Sequence, residues 1–219
     1  KTTMGLSMLY CPFFIVADAV APKMGYEADG FSLPYAFALS FACLFYVIAG
    51  CLFLRKVLLR RFSELVTAVT LCIVTLCTNL YWYTIYEPAM SHAFNFALIC
   101  LFLFLTECWH DKPTWVNSVF VGLTVGLISL IRPTNGIVVI YFLIYNVFNF
   151  ETLKQKIDIY LKNALKIVCV AFVALVVWLP QIMYWHSLTG HIFFYSYTDN
   201  EGFFFSHPVF LRGLFGFRK

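Results

Sequence analysis

Charge is what this chain has least of: Asp, Glu, Lys and Arg make up 12% of its 219 residues, whereas 62% are apolar. The apolar residues come in runs too long for the interior of a soluble domain of this length, which places the chain among membrane proteins. Strict apolar/polar alternation is missing, which excludes the strands of a transmembrane barrel. Backbone amides in hydrocarbon must then be satisfied within helices. The eight cysteines (Cys11, Cys43, Cys51, Cys72, Cys77, Cys100, Cys108, Cys169) form no C-x-x-C pair, and no His spacing suits zinc. They lie almost entirely in apolar runs and read as small membrane hydrophobes, so no metal is expected. Internal repeats and low-complexity segments are lacking, as are the paired broken helices that mark inverted-repeat transporters. The first residue is Lys1 rather than Met, no signal peptide precedes the first apolar segment, and Arg218-Lys219 follows an unfinished aromatic stretch. The expectation is a piece cut from a longer protein. The net charge of +4 reflects orientation in the membrane and implies no nucleic-acid partner.

What is present is a series of apolar runs near the ~20 residues a helix needs to cross a bilayer. Six spans are predicted: Leu33 to Leu54, Leu65 to Tyr86, Ala89 to Thr106, Trp115 to Ile131, Asn135 to Phe150 and Ile167 to Trp185. Ahead of them, Met4 to Ala21 is apolar but carries Pro12 and Asp18, and is expected to be an interfacial or re-entrant helix. Arg55, Lys56, Arg60 and Arg61 follow the first span, and Lys154, Lys156, Lys162 and Lys166 precede the last, so these segments are assigned to the cytoplasm. Glu151 to Lys166 reads as an amphipathic helix on that surface. The fold class is therefore an all-α, polytopic bundle. Residues 1–32 and 186–219 form non-cytoplasmic segments on either side of a membrane region spanning residues 33–185.

Polar residues collect on the non-cytoplasmic side. Tyr81-Trp82-Tyr83-Thr84-Ile85-Tyr86-Glu87-Pro88-Ala89-Met90-Ser91-His92 joins the second and third spans. Pro88 suits a first helical turn, with Glu87 beside the orphan amides and His92 one turn inside, sharing a face with Phe96. A carboxylate and an imidazole at the mouth of a bundle can bind a sugar hydroxyl or transfer a proton. The alternative is a helix-terminal charge within an interfacial aromatic belt. In Leu130-Ile131-Arg132-Pro133-Thr134-Asn135-Gly136, Arg132 either snorkels to the headgroups or holds a phosphate through paired hydrogen bonds. The tail offers His186, His191, Tyr195, Tyr197, Asp199, Glu201, His207, Arg212, Arg218 and Lys219 among many phenylalanines. Their cations suit a phosphate-bearing lipid, and interfacial anchoring accounts for the aromatics equally well. Asp29-Gly30 signals a turn, and Ser32 is a candidate cap for the helix beginning near Pro34. Asp18 requires a partner or water.

Thr3-Met4-Gly5-Leu6-Ser7-Met8-Leu9-Tyr10-Cys11-Pro12-Phe13-Phe14, Asp29-Gly30-Phe31-Ser32, Met90-Ser91-His92, Arg132-Pro133-Thr134 and Gly202 to Lys219 resemble segments of the GT-C superfamily of membrane glycosyltransferases. The similarity is greatest to its uncharacterised bacterial members, and the superfamily also includes protein O-mannosyltransferases and the lipid A aminoarabinose transferase. The resemblance runs along nearly the whole chain and rests on order and topology. It implies a multi-pass protein of the bacterial inner membrane that takes a sugar from a polyprenyl-phosphate carrier and passes it to a glycan, lipid or protein acceptor at the periplasmic face. It implies inverting displacement, with a catalytic Asp early in the first periplasmic loop; no residue here matches it, so the base is expected upstream of Lys1 and the piece alone inactive. The implied substrate-binding set is Tyr83, Glu87, Ser91, His92, Arg132, His207, Arg218 and Lys219. Within it, Arg132, Arg218 and Lys219 are candidates for phosphate contact, while Glu87 and His92 orient hydroxyls. Beyond the lipid-linked donor, no cofactor is implied.

A transporter or flippase would place ionisable groups at mid-depth, reachable from both faces. Such residues are scarce within these spans, which favours a one-sided cavity. A structural subunit would need no cavity at all.

Overall fold

A computed structural model of the chain describes residues 3–192 and 194. Among these residues the structure is helical, with no strand. In chain order the helices are α1 (Gly5–Val20), α2 (Leu33–Leu58), α3 (Glu64–Leu76), α4 (Asn79–Ile85), α5 (Ser91–Asp111), α6 (Trp115–Ile131), α7 (Val139–Ile144), α8 (Phe150–Lys162) and α9 (Ala164–Thr189). Short 3-10 helices extend α1 (Ala21–Met24) and precede α7 (Pro133–Val138). Four stretches are long and apolar enough to cross a membrane: Gly5–Met24, Leu33–Leu58, Ser91–Asp111 and Ala164–Thr189. The bent pair α3–α4 makes a fifth. Large apolar side chains face outward along these helices, among them Phe37, Phe41, Phe172 and Leu175, each more than 60% exposed. An apolar outer surface on this scale suits lipid rather than water.

Helix α5 is central: 56% of its apolar window is buried, against 6% for α9, which lies at the periphery. Phe94, Leu98, Phe102 and Trp109 of α5 pack with Cys43 and Val47 of α2 and Val121 and Ile128 of α6. The buried indole of Trp109 donates to Ser118 Oγ at 2.9 Å, so this aromatic anchor leaves no orphan donor. Helix α9 approaches α6 closely because Gly122 and Gly126 present no side chain. A Cβ at Gly122 would lie 2.6 Å from the Val170 carbonyl oxygen, and one at Gly126 would lie 2.8 Å from Val177 Cβ.

The expected spans are met unevenly. The segment Leu65 to Tyr86 is broken at Cys77–Thr78, where α3 and α4 meet at 58°. Thr78 caps α4 by accepting from the Leu80 amide, and its hydroxyl donates back to the Val74 carbonyl, so the helix is interrupted by its own polar residues. Asn135 to Phe150 is not one continuous helix. Six residues of 3-10 helix followed by six of α-helix cover about 21 Å, short of the ~30 Å hydrocarbon core. Tyr145 then leaves the helix and Asn146 takes a left-handed φ of 57°. The segment still returns to the end carrying the basic loop, where the Tyr145 hydroxyl accepts from Arg61 Nη2 at 2.9 Å. Helix α6 keeps its expected bounds and, at 17 residues, is also short.

The expected amphipathic helix is α8, four residues shorter than predicted at its C-terminus, closed at its start by a reciprocal Asn149–Thr152 capping box. By length and apolarity α1 could cross a membrane, but its contacts run over the opposite end of the bundle. Gly5 sits on the C-terminus of α6, Tyr10 on Phe94 at the start of α5, Phe13 on Phe41 and Phe45 of α2, and Phe14 on Tyr35. Asp18 finds its partner there in the Tyr35 hydroxyl at 2.5 Å. Asp29 forms the expected turn, accepting from the amides of Phe31 and Ser32, and these bonds hold its carboxyl below the usual carboxylate range. Ser32 occupies the N-cap position of α2, but its hydroxyl donates to the Glu27 carbonyl rather than capping the helix.

Candidate functional site

At the end of the bundle remote from the basic loop, two turns carry the expected residues. Helix α5 begins at Ser91, with Met90 as N-cap, so Glu87-Pro88-Ala89 forms a turn ahead of it rather than its first turn. Glu87 is therefore not a cap: its carbonyl accepts from the Met90 amide, and its half-buried carboxylate has no ion-pair partner among the described residues. His92 falls within the first turn of α5 and stacks on Tyr83 of α4, ring centroids 3.9 Å apart and planes inclined by 22°. This stack fixes the plane of the imidazole. Ser91 is half-buried beside them and outside the lining of the groove.

Arg132 closes α6 in an extended conformation before Pro133 and is exposed. Its guanidinium has no hydrogen bond or ion pair among the described residues. After burial itself, the charges of Arg132 and Glu87 are the main influences on His92, so both turns lie near the imidazole. His207, Arg218 and Lys219, the remaining expected contacts, lie outside the described residues.

Beside His92, an open groove of about 430 Å³ occupies the break between α3 and α4. Thr78, Asn79, Tyr83, His92 and Phe96 line it. The face shared by His92 and Phe96 is thus the expected one, while Thr78 and Asn79 were read only as part of a continuous span. The Thr78-Asn79 pair is itself an N-cap signal, and it marked this break.

Helix α1 ties the two turns together. The Tyr10 hydroxyl donates to the Ala89 carbonyl in the Glu87 turn. At the other turn, Thr3 Oγ1 donates to the Ile131 carbonyl at 3.1 Å, and the Met4 amide donates to Gln181 Oε1 of α9 at 2.7 Å. Gln181 is 1% exposed, so a buried amide side chain satisfies a helix-terminal donor. Gly5 permits this contact: a Cβ there would fall 2.6 Å from the Ile131 amide nitrogen. Gln181, a polar residue directly after Pro180 in the last apolar run, was the signal for this junction.

The basic end holds a second polar cluster that the span reading did not reveal. Glu107 of α5 is fully buried and accepts from Arg61, while Arg60 Nε lies 3.1 Å from its second oxygen. Arg60 also pairs with Asp111 at 2.6 Å. The hydrogen bond from Arg61 to Glu107 holds the guanidinium proton above its ordinary value. Comparison with family models, curated proteins and solved structures finds no match to this chain.

Proposed function

We propose that this chain is part of a membrane glycosyltransferase that moves a sugar from a polyprenyl-phosphate carrier to an acceptor at the end of the bundle bearing Glu87, His92 and Arg132. The carrying observation is the convergence of an unpaired guanidinium and an unpaired carboxylate, from two different turns, on an imidazole that lines an open groove. In this reading Arg132 faces the carrier phosphate. Charge grows on that phosphate as the glycosidic bond breaks, and a guanidinium beside it stabilises it more in the transition state than in the ground state. His92, held by Tyr83, and Glu87 orient sugar or acceptor hydroxyls. The acceptor proton passes to a carboxylate elsewhere in the full-length protein, as in the superfamily the sequence resembles. The bacterial inner membrane is the location this reading requires, with the basic loops on its cytoplasmic side.

The test is transfer of labelled sugar from a polyprenyl-phosphate donor by the full-length protein in proteoliposomes. Arg132→Ala is expected to lower turnover by about 100-fold or more, with membrane insertion unchanged. Unchanged transfer removes Arg132 from the site. Passage of the intact lipid-linked sugar across the bilayer without a new glycosidic bond would replace the transferase with a flippase.

A further inference from the structure

The basic end contains a cavity of about 230 Å³ between the end of α5, the turn after α7 and α8. It exceeds the ~30 Å³ share of one water several-fold. Its wall includes Lys156, the one buried lysine among the described residues, at 7% exposure. The Lys156 ammonium lies 5.4 Å from the Tyr145 ring centroid and 5.9 Å from that of Tyr160. Among the described residues it has no hydrogen bond and no carboxylate partner. An ammonium carries three donors, and two aromatic faces satisfy none of them directionally.

The carboxylates at this end of α5 are already engaged. Glu107 is held by Arg60 and Arg61, and Asp111, which reaches the cavity wall, is paired with Arg60. His110 is engaged as well: its Nδ1 donates to the Thr106 carbonyl at 2.8 Å and its Nε2 lies 3.2 Å from the Tyr160 hydroxyl. Thr152 is spent in the capping box of α8. The free donors are then the Lys156 ammonium, the exposed amides of Asn146 and Gln155, and the proton of the Tyr145 hydroxyl, whose oxygen accepts from Arg61. Burial holds the Lys156 proton below its ordinary value, as expected of a cation awaiting a counter-charge.

We propose that this cavity binds a phosphate group, from a phospholipid headgroup or from a soluble phosphate compound, with Lys156 as its charge partner. A phosphate presents several acceptor oxygens, which matches a set of converging donors with one uncompensated cation. The outward apolar side chains of α8 (Leu153, Ile157, Leu161) would hold the cavity at headgroup depth. The site lies at the opposite end from the glycosyl-transfer site and stands independently of that reading.

The experiment follows the thermal midpoint of the full-length protein, purified in a maltoside detergent, against three probes: inorganic phosphate, dioctanoyl phosphatidylglycerol and dioctanoylglycerol. A ligand of the folded state raises the midpoint with its concentration, which yields an apparent Kd. A rise with both phosphate probes assigns the site to the phosphate group itself; a rise with the lipid alone assigns it to a headgroup, and with inorganic phosphate alone to a soluble compound. In each supporting case, Lys156→Met weakens binding about ten-fold or more, whereas exposed Lys154→Gln leaves it unchanged. Should Lys156→Met fail to fold, the Asn146→Ala/Gln155→Ala variant at the exposed rim decides, with several-fold weaker binding expected. No response to either phosphate probe overturns the proposal. So does an equal response to dioctanoylglycerol, or an undiminished response in the Lys156 or rim variants.

Discussion

The buried carboxylate at the basic end makes an asymmetric prediction. Glu107 is 0% exposed, while its partners Arg60 and Arg61 have side chains 37% and 41% exposed. Arg61→Met leaves the carboxylate buried with only Arg60, whose contact at 3.1 Å is an ion pair without hydrogen-bond alignment, since Oε2 has no donor. Breaking a buried pair from this side costs about 3 kcal/mol or more. Glu107→Leu instead leaves two guanidiniums that can turn to water, with Asp111 still holding Arg60. That cost is about 1 kcal/mol once solvent screening is allowed for. At roughly 2–4 °C per kcal/mol for a chain of this size, Arg61→Met should lower the midpoint by about 6–12 °C and Glu107→Leu by no more than about 4 °C. The double variant should melt close to Glu107→Leu alone, a coupling of about 3 kcal/mol. Thermal loss of helical circular dichroism in detergent measures all three. Equal losses in the two single variants, or a larger loss in Glu107→Leu, would refute the claim that the buried carboxylate depends on its arginines rather than they on it.

Two glycines carry further expectations. Gly122→Ala should destabilise the protein by up to about 2 kcal/mol, because the overlap with the Val170 carbonyl oxygen, at about 1–3 kcal/mol, outweighs the ~1 kcal/mol gained in helix propensity; the same melting measurement checks its sign. Gly5→Ala meets backbone on α6 and must displace α1, so under the proposed function sugar transfer by the full-length protein should fall several-fold while the melting loss stays within about 1–3 kcal/mol.

Long-range order was legible in the sequence because it depends on quantities summed over many residues. The apolar runs located α2, α5, α6 and α9 to within a few residues at most boundaries, and the amphipathic pattern located α8. What escaped is decided by single polar atoms. Thr78 reads as one hydroxyl in an apolar run, and only its bonds to Val74 and Leu80 reveal that the span breaks there and opens a groove. Pro88 was read as a helix start, but Met90 takes the N-cap geometry and shifts His92 into the first turn of α5. Glu107 and Lys156 were hidden differently. Lys156 read as one of several basic residues on a surface helix and Glu107 drew no reading, and burial of either depends on how α5 meets the basic loop and α8, a contact between residues about 50 apart in sequence.

The two ends of the bundle handle charge in opposite ways, and this difference bears on function. At the basic end, arginines neutralise Glu107 and Asp111 within hydrogen-bonding distance, which ties the loop after α2 to α5. At the other end, Arg132 and Glu87 stay unpaired among the described residues although both act on His92. A solvent-exposed ion pair gains only about 0–1 kcal/mol, so neither charge is driven to close on the other. Helix α1 joins the two turns: Thr3 and Gly5 meet the end of α6 just before Arg132, and Tyr10 donates to Ala89 just after Glu87. A helix tied to both turns sets two opposite charges, each without a partner among the described residues, around one imidazole, which is the condition a phosphate and a sugar hydroxyl would require of a shared site.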